Sequence, residues 1–203
     1  MKPLAGTKDI EQALQAVGEL VAAAGESYSI VILGGAALNL LGVIERATRD
    51  VDILAFASDP DGPDRGELVT PPKPLPEPLV KAIRTVAGDF GLADNWLNTG
   101  PALQVKAGLP DGLASRIKWR DYAALHVGLT SPHDLIAFKL FAAADDRPGG
   151  RHARDLIALR PTDQQLDAAA IWVKGQDANQ HEFPAIVDKV VTYVREDRDA
   201  THS

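Results

Sequence analysis

The sequence predicts an α+β protein in which a β-sheet is flanked by helices and followed by a helical C-terminal part. Three observations predict it. Short apolar, β-branched runs stand at residues 28–33 (YSIVIL) and 51–56 (VDILAF), as buried strands require. Apolar residues recur at three- and four-residue steps before and after these runs. From Ser131 onward the start signals are those of helices. With 203 residues, 45% of them hydrophobic and 24% charged, the chain can bury one sizeable core, or a core and a small appendage. It has no cysteine, which excludes disulfides, thiolate zinc sites and cysteine nucleophiles. No run approaches the roughly 18 apolar residues of a membrane span, and no basic segment leads into an apolar one, so no membrane partner and a cytoplasmic location are expected.

In chain order, Ile10, Leu14, Val17, Leu20, Val21 and Ala24 mark an amphipathic helix over roughly Asp9 to Ala24. Thr7 and Asp9 are available as caps, and Gly25 ends it. The strand 28–33 stops at Gly34-Gly35. A short helix through AALNLLG closes at Gly42, the polar link ERATR crosses over, and the second strand begins at or just after Asp50. Residues 58–78 carry seven prolines, which predicts an exposed, partly extended loop. A helix then enters through Pro78, carrying Leu79, Ile83, Val86, Ala87 and Phe90. Shorter strands are expected at Leu103 to Gly108, Arg116 to Trp119 and Leu125 to Leu129. Ser131-Pro132 with Asp134 starts a helix as cap, first turn and capping-box acid. After Pro148-Gly149-Gly150 come a helix through ARDLIAL, a second opened by Thr162 and Gln165, and a last one marked by Ile186, Val187, Val190, Val191 and Val194. The final RDATHS is expected to fray.

The pattern richest in chemistry is strand, Gly-Gly, short helix, then a strand bearing Asp50-Val51-Asp52. Carboxylates two residues apart on a strand point to one face. Their hard oxygens suit Mg²⁺ or Mn²⁺, and such cations serve phosphoryl or nucleotidyl transfer. Gly34 and Gly35 lack side chains, so backbone N–H groups at a helix start can approach triphosphate oxygens closely. Arg46 and Thr48, just before the acidic strand, face the phosphates or simply form the crossover. Lys139 lies in the apolar run LIAFKLFAAA, where burying its ammonium is costly unless an anion, carboxylate or water meets it. The net charge of −7 opposes general attraction to nucleic acid. Residues 115–160 nevertheless hold eight Lys and Arg against five Asp and Glu, which leaves room for a local anion site.

The segment ILGGAALNLLGVIERATRDVDIL resembles the signature of the DNA-polymerase-β-like nucleotidyltransferase superfamily, and is closest in form to its minimal bacterial members, which include the abortive-infection type toxins. DLIAFKLFAAADDR with RHARDLIAL resembles the later lysine and Arg-Asp motif, so the likeness runs from about Tyr28 to Leu159. The resemblance implies a nucleotidyltransferase-like mixed sheet over residues 1–130, with a helical region at 131–203 packed on it. It implies a metal-dependent transfer of a nucleotidyl group from a nucleoside triphosphate to a hydroxyl of a protein, an RNA such as a tRNA 3′ end, or a small molecule. By the same resemblance Asp50 and Asp52 coordinate Mg²⁺ (or Mn²⁺), and Gly34 and Gly35 hold the phosphates. Lys139 contacts the phosphates, Asp155 is the acid of the Arg-Asp motif, and Arg147 and Arg154 are further triphosphate contacts.

One departure stands out. Many active members add a third carboxylate from a neighbouring strand as general base. The strand expected at 103–108 reads LQVKAG, and Asp111 and Asp121 fall in predicted turns. Asp155 serves instead, or the chain is an inactive nucleotide- or partner-binding protein of the same fold, such as a toxin–antitoxin or regulatory component. A structural Gly-Gly turn beside a solvated strand is the third reading. The histidines show no zinc spacing, and Trp96 and Trp119 read as core or edge aromatics.

Overall fold

The computed structural model describes residues 1–59, 66–103, 105, 108–146, 149–176 and 181–201. The chain divides into two compact units, Met1–Gln104 with Ala114–Thr130, and Val105–Leu113 with Ser131–Ser203. Where a single division at 130/131 is expected, the second unit also takes Val105–Leu113. The Gly108 carbonyl accepts from Trp172 Nε1 at 3.3 Å and from Gln176 Nε2 at 3.4 Å, which ties that segment to a helix of the second unit.

The first unit contains α1 (Thr7–Ala23), β1 (Tyr28–Leu33), α2 (Gly34–Leu40), β2 (Val51–Ala57), β3 (Leu68–Val69), α3 (Glu77–Phe90), β4 (Leu97–Asn98), β5 (Lys118–Tyr122) and β6 (Leu125–Leu129). The sheet is mixed, in the order β3-β2-β1-β6-β5, with β4 also paired to β2. β1 runs antiparallel to β2 and parallel to β6, while β2 runs parallel to β4 and antiparallel to β3. Because β1 takes one edge of β2, β3 and β4 share the other. Five of the six β1 residues are buried, so YSIVIL is covered on both faces and does not alternate apolar with polar, Ser29 being its one small buried polar residue. Ile10, Leu14, Val17 and Val21 of α1 form the core with Ile30, Ile32, Ile53, Leu79, Ile83 and Leu125. At Gly18 a Cβ would stand 1.7 Å from the Tyr122 carbonyl oxygen, so α1 meets the β5–β6 turn backbone to backbone. Trp119 lies opposite Gly128, whose missing side chain leaves room for the indole.

Several local expectations are corrected here. Gly6, not Thr7 or Asp9, occupies the N-cap of α1; the Thr7 hydroxyl instead donates to the Asn39 carbonyl, and Asp9 accepts from the Ala5 N–H. The proline-rich stretch contains β3, and residues 60–65 within it lie outside the described residues. Where a strand is expected from Leu103, Pro101–Leu103 is a 3₁₀ turn. Proline has no N–H to give a ladder there. Residues 104, 106 and 107 of that stretch lie outside the described residues. The strand expected at 116–119 stands at Lys118–Tyr122, behind a 3₁₀ turn at Ala114–Arg116. Asp121 is therefore on a strand and not in a turn, and its Oδ1 meets His126 Nδ1 at 2.5 Å across the β5–β6 pair.

The second unit holds α4 (Pro132–Ala144), α5 (Arg151–Ala158), α6 (Asp163–Gln176) and α7 (Phe183–Thr201). Ser131 caps α4 by accepting from the Asp134 N–H at 3.2 Å while its hydroxyl donates to Asp134 Oδ2 at 2.6 Å. At the start of α6 the Thr162 N–H donates to Gln165 Oε1 and the Gln165 N–H to Thr162 Oγ1, a reciprocal capping box. α4 packs with α5, α6 and α7. Ile136, Leu140, Leu156, Leu166, Val173 and Val187 are fully or almost fully buried in their shared core. α7 continues to Thr201, through residues of RDATHS expected to fray. Arg198, in that stretch, is anchored to Asp163 at 3.1 Å. Among the described residues no helix is long and apolar enough to cross a membrane.

Candidate functional site

The first unit gathers six of the residues singled out in the sequence. β1 ends at Leu33, directly opposite Asp52 in the β1–β2 register, and the chain turns into α2 at Gly34. Gly34 has φ +79°, which side chains rarely adopt, and a Cβ there would lie 2.8 Å from Asp52 Oδ2. The space that glycine leaves is thus taken by the carboxylate. At Gly35 a Cβ would lie 3.1 Å from Thr48 Oγ1 and 3.4 Å from Arg46 Nη2. The two glycines therefore face different partners: Gly34 faces the acid, and Gly35 faces the hydroxyl and the guanidinium.

The link before β2 is held on both sides. Leu4 and Thr48 exchange backbone hydrogen bonds of 2.9 Å in each direction, and the Thr48 hydroxyl donates to the Asp50 carbonyl at 3.1 Å. The Val51 N–H donates to the Trp96 carbonyl at 2.6 Å. Asp50 and Asp52, on either side of Val51, stay half-buried while Val51 is fully buried.

Two asparagines that sequence reasoning missed organise this region. Asn39, 1% exposed on α2, donates from Nδ2 to the Gly35 carbonyl at 2.9 Å, and its Oδ1 accepts the Arg46 N–H at 3.1 Å. It straps the link carrying Arg46 to the turn carrying Gly35. The only sequence signal was a polar residue inside the apolar run AALNLLG, of a type that competes for backbone hydrogen bonds. Asn98 stands on β4 in register with Asp52, and its Nδ2 donates to Asp52 Oδ1 at 3.3 Å.

Lys139 and Asp155 belong to the second unit. Lys139 Nζ and Asp155 Oδ2 are 2.7 Å apart, on α4 and α5, and each side chain is 5% exposed. The carboxylate that meets the lysine of the apolar run is therefore Asp155, and each charge is compensated inside the unit. Beside them, His152 is held below the usual histidine range, first by burial and then by the Lys139 and Arg151 charges. Its Nδ1 is buried with no hydrogen-bond partner. Arg154 is exposed and donates to the Gly149 carbonyl at 2.8 Å. Arg147 lies outside the described residues.

Among the described residues no group of three or more His, Cys, Asp or Glu side chains stands where it could hold a metal ion. Asp50 and Asp52 nevertheless fit a Mg²⁺-type cation. Both supply hard oxygens, both keep solvent access, and such a cation commonly takes one or two carboxylates and completes its shell with water and phosphate oxygens. α2 has only seven residues, so its dipole adds little, and the groups that face Gly35 are the Arg46 guanidinium and the buried Thr48 hydroxyl. No protein-family model, curated protein or solved structure matches this chain.

Proposed function

We propose that the protein is a nucleotidyltransferase that uses Mg²⁺ or Mn²⁺ and moves a nucleotidyl group from a nucleoside triphosphate to an acceptor hydroxyl. The observation that carries this reading is the convergence of Gly34 on Asp52 and of Gly35 on Thr48 and Arg46 at the ends of two paired strands. Asp50 and Asp52 hold the cation, which when bound neutralises phosphate charge and aligns the α-phosphate. Arg46 binds the phosphate oxygens, and glycine at position 35 lets its guanidinium come close; Thr48, expected from the sequence to join it, is buried with its hydroxyl proton given to the Asp50 carbonyl, and holds the link before β2 instead. The acceptor oxygen bonds to the α-phosphorus, the bond to the bridging oxygen breaks, and pyrophosphate leaves. With two carboxylates and no third beside them among the described residues, the hydroxyl proton is left to solvent. Lys139 and Asp155 stand outside the acting set, because an ammonium this buried and already paired has little to offer a phosphate.

A second reading, nucleotide binding without transfer, draws on Asn98. The strand next to Asp52 offers an amide where a general base would need a carboxylate. Calorimetric titration of each nucleoside triphosphate, with and without Mg²⁺, tests both. Mg²⁺-dependent binding by the wild type and none by Asp50→Asn/Asp52→Asn is the expected result. Labelled nucleotide that binds and is never transferred to protein, RNA or small hydroxyl acceptors favours the second reading. Absence of binding overturns both.

A further inference from the structure

Resting on that proposed cation site, we infer that Asn98 is a positioning residue for Asp52, and that the site takes one divalent cation and not a pair. Asn98 and Asp52 sit side by side on β4 and β2, whose parallel pairing is fixed by Leu97 opposite Val51 and by the Val51 N–H donating to Trp96. The Asn98 amide has a defined orientation. Its Oδ1 accepts the Gly100 N–H at 2.8 Å, and only an oxygen can accept there, so the amide nitrogen is turned toward Asp52 Oδ1 at 3.3 Å. Gly100 makes this possible, since a Cβ on it would stand 3.0 Å from that same Oδ1.

The two oxygens of Asp52 are therefore in different settings. Oδ1 receives an N–H, and Oδ2 faces the backbone at Gly34. A site for two cations about 3.5–4 Å apart needs carboxylates that bridge them, with further acidic ligands around. Here the neighbouring strand presents a donor to the carboxylate where a second cation would need an acceptor, and no third acid joins the pair among the described residues. A donor that fixes the orientation of a ligating carboxylate is worth about 10–100-fold in metal affinity.

Mn²⁺ titration followed by the electron paramagnetic resonance of the free ion counts the sites. The full chain is compared with Asn98→Ala, Asn98→Asp and Asp50→Asn/Asp52→Asn, with circular dichroism checking the fold of each. One Mn²⁺ per wild-type chain is expected, lost in the double variant, bound about 10-fold more weakly by Asn98→Ala, and joined by a second Mn²⁺ in Asn98→Asp. Two Mn²⁺ on the wild type, both lost in the double variant, overturn this inference and leave the proposed cation site standing. Unchanged affinity in Asn98→Ala overturns the positioning role, and a single Mn²⁺ in folded Asn98→Asp overturns the claim that the amide sets the number. No Mn²⁺ on the wild type, or Mn²⁺ kept by the double variant, overturns the proposed cation site itself. The wild-type count decides the main point even if a variant does not fold.

Discussion

In the first unit Asp50 and Asp52 stand half-buried, with Asp52 against Gly34 and the Thr48 hydroxyl and Arg46 guanidinium against Gly35. In the second, Lys139 and Asp155 are withdrawn from solvent and meet each other at 2.7 Å. In sequence the two sets look alike, as charged residues in or beside apolar runs. Their physical situations differ. A half-exposed carboxylate keeps its hydration and remains available to a cation, whereas a buried ion pair has already exchanged hydration for its partner. Availability, more than residue type, separates a group that can act on a ligand from one that holds helices together.

The sharpest way to break this comparison is Lys139→Met, which leaves the Asp155 carboxylate buried without its partner. Urea unfolding is expected to show a loss of about 3–5 kcal/mol, with most of it recovered in Lys139→Met/Asp155→Leu, since apolar replacement of a whole buried pair is often neutral or stabilising. A loss below about 1 kcal/mol would place the pair with solvated surface bridges instead.

Gly34→Ala comes next. A left-handed backbone costs a side-chain-bearing residue roughly 1–2 kcal/mol, and the new Cβ would also displace Asp52 Oδ2. Lower stability together with weaker Mn²⁺ binding is expected. Gly35→Ala, without the φ penalty and with contacts of 3.1 Å and 3.4 Å to movable side-chain atoms, is expected to spare Mn²⁺ binding and weaken triphosphate binding. Equal effects of the two on Mn²⁺ would undo the division of labour between the glycines.

His152 sharpens the contrast through pH. Its folded-state proton affinity is lowered, chiefly by burial and next by Lys139, so the folded chain binds a proton less readily than the unfolded chain. The resulting stability is present above about pH 6.5, the ordinary histidine value, and is lost as pH falls below it. Urea midpoints measured downward from neutral pH are expected to fall less steeply in His152→Gln than in the wild type, and parallel slopes would contradict this.

The smallest effect is expected for Asp50→Asn. As a half-exposed group outside the core, it should change stability by no more than about 0.5 kcal/mol while abolishing metal-dependent nucleotide binding by calorimetry. A large stability loss would move Asp50 into the structural class that Lys139 represents.

Elements whose signal is local were readable without the fold. Ser131 and Thr162 cap their helices through residues three positions on, and β1 and β6 occupy the expected runs. The candidate site was readable in part, because Gly34 and Gly35 follow directly on β1, and Asp52 opposes the last residue of β1 from a strand close by in the chain. The two-residue strand β4 was not readable, since NWLN is too short to show a period and is defined only by pairing with β2. Nor was Asn98, whose partner Asp52 is 46 residues away. The Thr7 and Asp9 caps failed for a similar reason, as Thr7 is drawn to the Asn39 carbonyl 32 residues on.

By itself the sequence determined the class of fold, the helical C-terminal part and the grouping of glycines with acids, because caps, periodicity and chain turns act within a few residues. Only the tertiary structure decided which charges keep water and which are sealed into a pair, and which asparagines strap Arg46 and orient Asp52. Burial and long-range hydrogen bonds depend on what the rest of the chain brings alongside, and local spacing does not encode them.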